Sequence, residues 1–270
     1  MEKKLVTIIR KLTAPFLFWK FLPNSFGKEK ILVTSRSDLR LLFPGLEKSA
    51  SDLFHVVNKY VKEGTTVWDV GSNLGILTFC SALKVGAHGA VYSLEADPRY
   101  VDIQYRTLQR FTKDAGKISI LCAAVADRSG ILNLTIPKKG HSRNHLEIVK
   151  GNSAGEPEMT KQVLSLTLDW LLGYWEPPQF IKIDVEGAEL LTVIGSRNLF
   201  TNIRPLCYIE CAPENRESIT AFFKQLNYDL YSLDDSGNEI SIDRCVFNTV
   251  AKPKKICKGS LQLLQKAFRF

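Results

Sequence analysis

Between residues 65 and 123, three short apolar runs alternate with two segments whose apolar residues recur at helical spacing. The runs are 65–70, 90–95 and 117–123, and the helical segments are 74–85 and 98–112. Strands that alternate with helices pair in parallel, and the helices cover both faces of the sheet. The rhythm breaks over 131–168, where the strand-like runs Ile131–Ile136 and Gln162–Leu168 flank a segment rich in Gly, Ser and Asn. It resumes with strand 179–184, helix 187–197, strand 205–210 and helix 214–225. Upstream, Lys48–Val61 sets Leu53, Val56, Val57 and Tyr60 at helical spacing, and 31–43 reads as a short strand or hairpin. Two last strands, about 228–233 and 244–250, are joined by Asp234-Asp235-Ser236-Gly237-Asn238. That run is turn chemistry and lacks the spacing of a calcium loop. The expected fold is α/β and doubly wound, a mostly parallel seven-stranded sheet with one antiparallel edge strand. The domain spans 46–250, with a basic extension over 1–45 and a basic tail over 251–270.

Such sheets bind ligands at the carboxyl ends of their strands, so those positions carry the chemistry. The first strand runs into Asp69-Val70-Gly71-Ser72-Asn73-Leu74-Gly75. Glycines let the backbone turn tightly and approach a ligand closely, although packing alone also selects such turns. A dinucleotide site uses G-x-G-x-x-G to bring amides onto a pyrophosphate. Here Asn73 stands at the middle glycine and Asp69 precedes the turn, where it repels phosphate and attracts an ammonium. S-adenosylmethionine has an amino-acid end and no phosphate, and it suits this site.

The second strand ends in Glu95, followed by Ala96-Asp97-Pro98, and an acid there accepts hydrogen bonds from ribose hydroxyls. After the third strand, Ala123-Ala124-Val125-Ala126-Asp127 leaves room for a flat base, with Asp127 as an acceptor for an adenine amino group. The run Phe180-Ile181-Lys182-Ile183-Asp184-Val185-Glu186-Gly187-Ala188-Glu189 places a lysine inside an apolar strand and gathers acids at its mouth. A buried lysine needs a partner, and Asp184 and Glu210 are the candidates. Two readings stay open: a structural ion pair, or a carboxylate base for a substrate hydroxyl. His141 and His145 are further candidate bases, or plain surface histidines.

In this order and at these intervals, the segments Asp69-Val70-Gly71-x-Asn73-x-Gly75, Glu95-Ala96-Asp97-Pro98, Ala124-Val125-Ala126-Asp127, Thr167-Leu168-Asp169 and Lys182-Ile183-Asp184-Val185-Glu186-Gly187-Ala188-Glu189 resemble the FkbM family of methyltransferases. The resemblance covers roughly residues 65 to 212. It implies a class I methyltransferase fold and methylation of hydroxyls on sugars, glycolipids or natural products. It also implies cofactor positions at Asp69, Gly71, Asn73, Gly75 and Glu95, with Asp127 facing the adenine and Asp184 by the transferring methyl. A methyltransferase-like binding module without turnover is the alternative, as is an enzyme acting on nucleic acid or protein.

Net charge is +8, and it is uneven. Residues 1–30 carry seven Lys/Arg against two Glu, and 251–270 carry six Lys/Arg and no acid, which leaves −3 for the rest. Basic ends beside apolar groups such as Phe16, Trp19, Phe21 and Leu264 suggest peripheral contact with an anionic membrane. Ordinary solvated terminal helices are the plainer reading. Nucleic acid is not the expected partner, because the central region carries a net negative charge and no Pro-Cys nucleophile occurs. The six cysteines show no C-x-x-C and no metal spacing, so free thiols and a cytoplasmic location are expected and no metal is assigned. Cys207 and Cys211 bracket a strand and are expected to point in different directions.

Overall fold

In the computed structural model the described residues are 8–10, 12–137, 145–147 and 157–255. Two strands, β1 (Phe18–Phe21) and β2 (Lys30–Val33), pair antiparallel near the N-terminus. Five parallel strands form the heart of the main sheet: β3 (Thr66–Val70), β4 (Ala90–Glu95), β5 (Lys117–Cys122), β10 (Phe180–Ile183) and β11 (Leu206–Glu210). A smaller sheet joins β6 (Ala124–Val125), β7 (Gly130–Pro137), β8 (His145–Leu146) and β9 (Pro157–Leu166) in the order β6-β9-β7-β8. The main sheet is completed by β12 (Tyr228–Leu233), β13 (Glu239–Ile242) and β14 (Asn248–Pro253). Its order is β13-β12-β14-β11-β10-β3-β4-β5.

The expected doubly wound sheet is therefore present, with eight strands rather than seven. The extra strand is β13, and it takes the place given to 244–250 as the partner of β12 across the Asp234–Asn238 turn. β14 inserts between β11 and β12 and runs antiparallel to both, so the antiparallel character reaches inside the edge. Glu239-Ile240-Ser241-Ile242 has a weak signal because an edge strand needs no buried face.

Buried strands such as β3, all five of whose residues are inaccessible, divide their side chains between two cores. Val67 and Phe180 face one core, and Trp68 and Ile181 face the other. The first core is continuous with Leu22, Phe26, Ile31 and Leu41, so the expected boundary at residue 45 marks no break in packing. Helices Ser51–Tyr60, Ile76–Val85 and Pro98–Leu108 close this side with Phe54, Leu77 and Tyr100. Pro98 opens its helix at a position that needs no N–H, and the Asp97 carboxylate accepts from Arg99 N at 3.0 Å as the N-cap.

On the opposite side, Cys207, Cys211 and Cys245 lie in one buried cluster. This corrects the expectation that Cys207 and Cys211 diverge: residues four apart along a strand share a face.

The chain lays down β3, β4 and β5 outward in one direction, then crosses to place β10 and β11 on the other flank of β3. The reversal at β3 and β10 opens a crevice at the carboxyl ends, where doubly wound folds bind ligands.

Candidate functional site

The turn after β3 is held from three sides. Gly71 N and Ser72 N both donate to Leu94 O at 2.9 Å, which fastens the turn to β4. Gly71 has φ 74°, and a Cβ there would stand 1.7 Å from the Asp184 carbonyl oxygen. No other residue fits, because the loops after β3 and β10 touch at this point. Asn73 also takes a left-handed φ, 52°. Below the turn, Gln104 Nε2 donates to Asn73 O at 2.7 Å and to Ser72 Oγ at 2.8 Å, and the Ser93 hydroxyl meets Gln104 Oε1 at 2.7 Å. Ser72, Ser93 and Gln104 are buried, and a satisfied buried network of this kind makes the turn rigid.

Glu95 is buried at the end of β4. One carboxylate oxygen accepts from Asn73 N at 2.7 Å and the other from Asp97 N at 2.8 Å. Burial pushes its carboxyl up to about 7, against the pull of those two N–H donors. The Asn73 side chain is gripped from outside the sheet: its Oδ1 accepts from the Ser37 hydroxyl at 2.8 Å.

The crevice opens into a cavity of about 1170 Å³. Sites for drug-sized molecules commonly span about 300–1,000 Å³, so a nucleoside and an acceptor fit side by side. Ala123, Ala124, Val125, Leu134 and Leu146 give it an apolar lining, to which Ala96 and Tyr100 also contribute.

The far end of the cavity is acidic. Lys182 is buried on β10, with Nζ 3.0 Å from Gly71 O, 3.1 Å from Asp184 and 3.5 Å from Asp69. Burial alone would lower this lysine, but Asp184, Asp69 and Glu210 outweigh it and hold the ammonium above its ordinary range. Glu210 is raised too, pushed up by burial and by the Asp184 charge, with Lys182 opposing. Glu189 fixes the intervening loop, accepting from Gly187 N at 2.6 Å and from Asn215 Nδ2 at 2.8 Å. The Asn248 Oδ1 atom, on the wall beside Glu210, is buried without a hydrogen-bond partner.

Of the residues singled out in the sequence, Gly71, Asn73, Glu95, Ala96, Ala124, Asp184 and Glu210 all line this cavity. Four others do not. Asp69 is fully buried and not on the lining, accepting from the Thr78 hydroxyl at 2.6 Å, with its Oδ1 3.5 Å from Lys182 Nζ and without a hydrogen-bond partner. Gly75 begins the next helix at φ 79°, where a Cβ would come within 2.9 Å of Phe79. Asp127 is half-buried: its Oδ2 lies 3.6 Å from Arg128, and its Oδ1 is buried without a hydrogen-bond partner. His145 sits on β8 opposite Thr135, outside the wall, and His141 lies outside the described residues. Sequence reasoning missed Arg10, Ser37, Lys48 and Asn248, all of which line the cavity. Only the register that sets Asn248 against Glu210 brings it there.

A model of the methyltransferase FkbM domain matches residues 69–230. No curated protein matches this chain. Among solved structures, the FkbM methyltransferase from Methylobacillus flagellatus is 16% identical with a TM-score of 0.46, over 69% of this chain and 43% of that one. This chain therefore spans less than half of that relative's length. Fibrillarin from Aeropyrum pernix, solved with S-adenosyl-L-methionine bound, is 13% identical with a TM-score of 0.44, over 76% and 73% of the two chains. An S-adenosylmethionine-dependent O-methyltransferase from Thermotoga maritima is 11% identical with a TM-score of 0.42, over 93% and 98%. Because the domain model covers more than half of its length, this chain belongs to the FkbM methyltransferase family.

Proposed function

We propose that this chain is an S-adenosylmethionine-dependent methyltransferase whose acceptor is a hydroxyl on a sugar, glycolipid or similar polyol. The observation that carries the reading is the meeting, in one cavity, of the Gly71–Asn73–Glu95 cradle with the Asp184 and Glu210 carboxylates.

The cradle suits the cofactor. Glu95 offers the lone pairs left over from its two N–H donors to ribose hydroxyls, and the Ala123–Val125 wall takes the flat base. When bound, the cofactor supplies a methyl group on a positively charged sulfur, open to in-line displacement by an oxygen nucleophile. The chain's task is then to align that oxygen, exclude water and take its proton. Alignment alone is worth about 7–11 kcal/mol of barrier. Asp184, held by Lys182 at 3.1 Å, orients the acceptor hydroxyl. Glu210, raised by burial and by Asp184, holds protons nearer to working pH than an ordinary carboxylate and serves as the general base. The unpaired Asn248 Oδ1 and the exposed Phe247 ring, both on the acceptor side, suit a hydroxyl donor and an apolar sugar face. Five free cysteines among the described residues support placement in a reducing, cytoplasmic compartment.

The test is transfer from labelled S-adenosylmethionine to fractionated polysaccharide, glycolipid and small-molecule extracts. Label should appear on a hydroxylated acceptor, and Glu210→Gln should slow transfer about 10²–10⁴-fold. Tight nicotinamide-cofactor binding with no response to the methyl donor would overturn the assignment.

A further inference from the structure

The outer wall of the cavity is built partly from residues 8–53, which lie outside the matched family region. This segment exposes apolar side chains that take no part in its core. Ile8 and Leu12 flank Arg10 at one-turn spacing and are 54% and 67% exposed, Phe16 is 60% exposed, and Phe43 is 68% exposed. Arg10, Arg40, Pro44 and Lys48 of the same segment line the cavity, so the segment that carries these exposed apolar groups is also part of the cavity wall. The Thr13 hydroxyl donates to Ser35 Oγ at 2.7 Å, which fastens this part of the chain to the turn that carries Ser37 and, through it, Asn73.

Charge accompanies the apolar groups. Residues 8–53 hold eight Lys/Arg and four acids, a net of +4 in a chain whose middle is negative. Arg40 is paired with Asp38 at 2.7 Å, but Lys48 has no ion pair among the described residues. The Arg10 Nε atom is buried on the cavity wall without a hydrogen-bond partner.

We propose that this face docks on an anionic lipid bilayer with the cavity mouth turned toward the headgroups. Apolar anchors among cations are what an interfacial contact uses: the anchors enter the headgroup boundary, and the cations meet the negative surface potential. A nucleic acid would use the cations and leave the anchors idle. A second copy of the chain would set one net-positive segment against another. No helix among the described residues is long and apolar enough to cross a membrane, so the contact is peripheral. The corollary, that the acceptor hydroxyl belongs to a membrane headgroup, rests on the methyltransferase reading; the docking itself does not.

The test is co-sedimentation of the full chain with phosphatidylcholine vesicles, with and without phosphatidylglycerol, across a salt series. Binding is expected only to the anionic vesicles and should weaken as salt rises. Leu12→Asp and Phe43→Asp should each lower partitioning at least about tenfold. Both are exposed and outside the cavity wall, so melting temperature and donor affinity should hold. Lys48→Glu should lower partitioning about fivefold or more. Equal binding by wild type and the Leu12→Asp/Phe43→Asp double variant overturns the proposal, as does no binding to anionic vesicles. A solution dimer broken by the same substitutions would overturn it in favour of a contact between copies. Vesicle binding without methyl transfer would sink the enzymatic reading and leave the docking, and transfer without vesicle binding would do the reverse.

Discussion

Titrating Glu95 tests the cofactor cradle most sharply. Its carboxyl is buried, accepts two backbone N–H groups, and is carried by burial up to about 7 from an ordinary 4.5. The folded state therefore binds this proton more tightly than the unfolded chain does. By linkage, the group's contribution to stability is present below about 4.5 and is lost as pH rises through about 7, a loss of about 3 kcal/mol. Ligand-free protein should accordingly melt lower near pH 8 than near pH 5.5, and Glu210, also raised, adds in the same direction.

Cofactor binding runs the other way. Ribose hydroxyls donate hydrogen bonds, so the ionised carboxylate is the form that holds them. Below pH 7 the bound proton must leave first, and affinity for S-adenosylmethionine should fall about tenfold per pH unit down to about 5. Calorimetry near pH 8 and pH 6 should show this difference, with a proton released at the lower pH. Glu95→Gln should flatten the dependence and weaken binding near pH 8 by about 10–100-fold. The amide offers one oxygen where Asn73 N, Asp97 N and the ribose now share two. An affinity that is flat with pH in the wild type, or still sloped in Glu95→Gln, would refute the assignment of Glu95 as the ribose ligand.

Gly71→Ala should lose about 3 kcal/mol or more of stability, or fail to fold, because the added carbon meets the Asp184 carbonyl at 1.7 Å and the backbone is left-handed; thermal melting at the wild-type temperature would contradict this. Asp184→Asn should slow turnover at least about a hundredfold. It should cost less than the ~3–5 kcal/mol of a stranded buried charge, because Lys182 keeps Asp69 at 3.5 Å and Gly71 O at 3.0 Å. A stable and fully active variant would remove Asp184 from both roles.

Much of this was legible in the sequence because it follows local rules. Strand-helix alternation fixed the parallel heart of the sheet, and the residues just past strand ends, Gly71, Glu95 and Asp184, landed on the cavity wall as expected. What stayed hidden depends on register and on contacts distant along the chain. The pairing of Asp69 with Lys182 is not legible in the sequence, because only the register of β3 against β10 sets the two opposite each other. Asp127 follows a two-residue strand whose partner is β9, and one of its carboxylate oxygens lies 3.6 Å from Arg128, a contact that no motif announces. Ser37 carries no periodicity or motif, and only the fold brings it 36 residues along the chain to Asn73.

The buried lysine explains why the acids at the mouth differ in character. One ammonium reaches Gly71 O, Asp69 and Asp184, so it ties together the strand ends on both sides of the point where the sheet reverses. It brings one positive charge to two nearby carboxylates, which leaves the cluster net negative before Glu210 is counted. Glu210 therefore meets a surplus of negative charge as well as burial, and both favour its proton. Asp184 has its counter-ion in Lys182, while burial and the neighbouring acids raise Glu210. A single lysine in an apolar strand thus ties the turn after β3 to the acids at the end of β10.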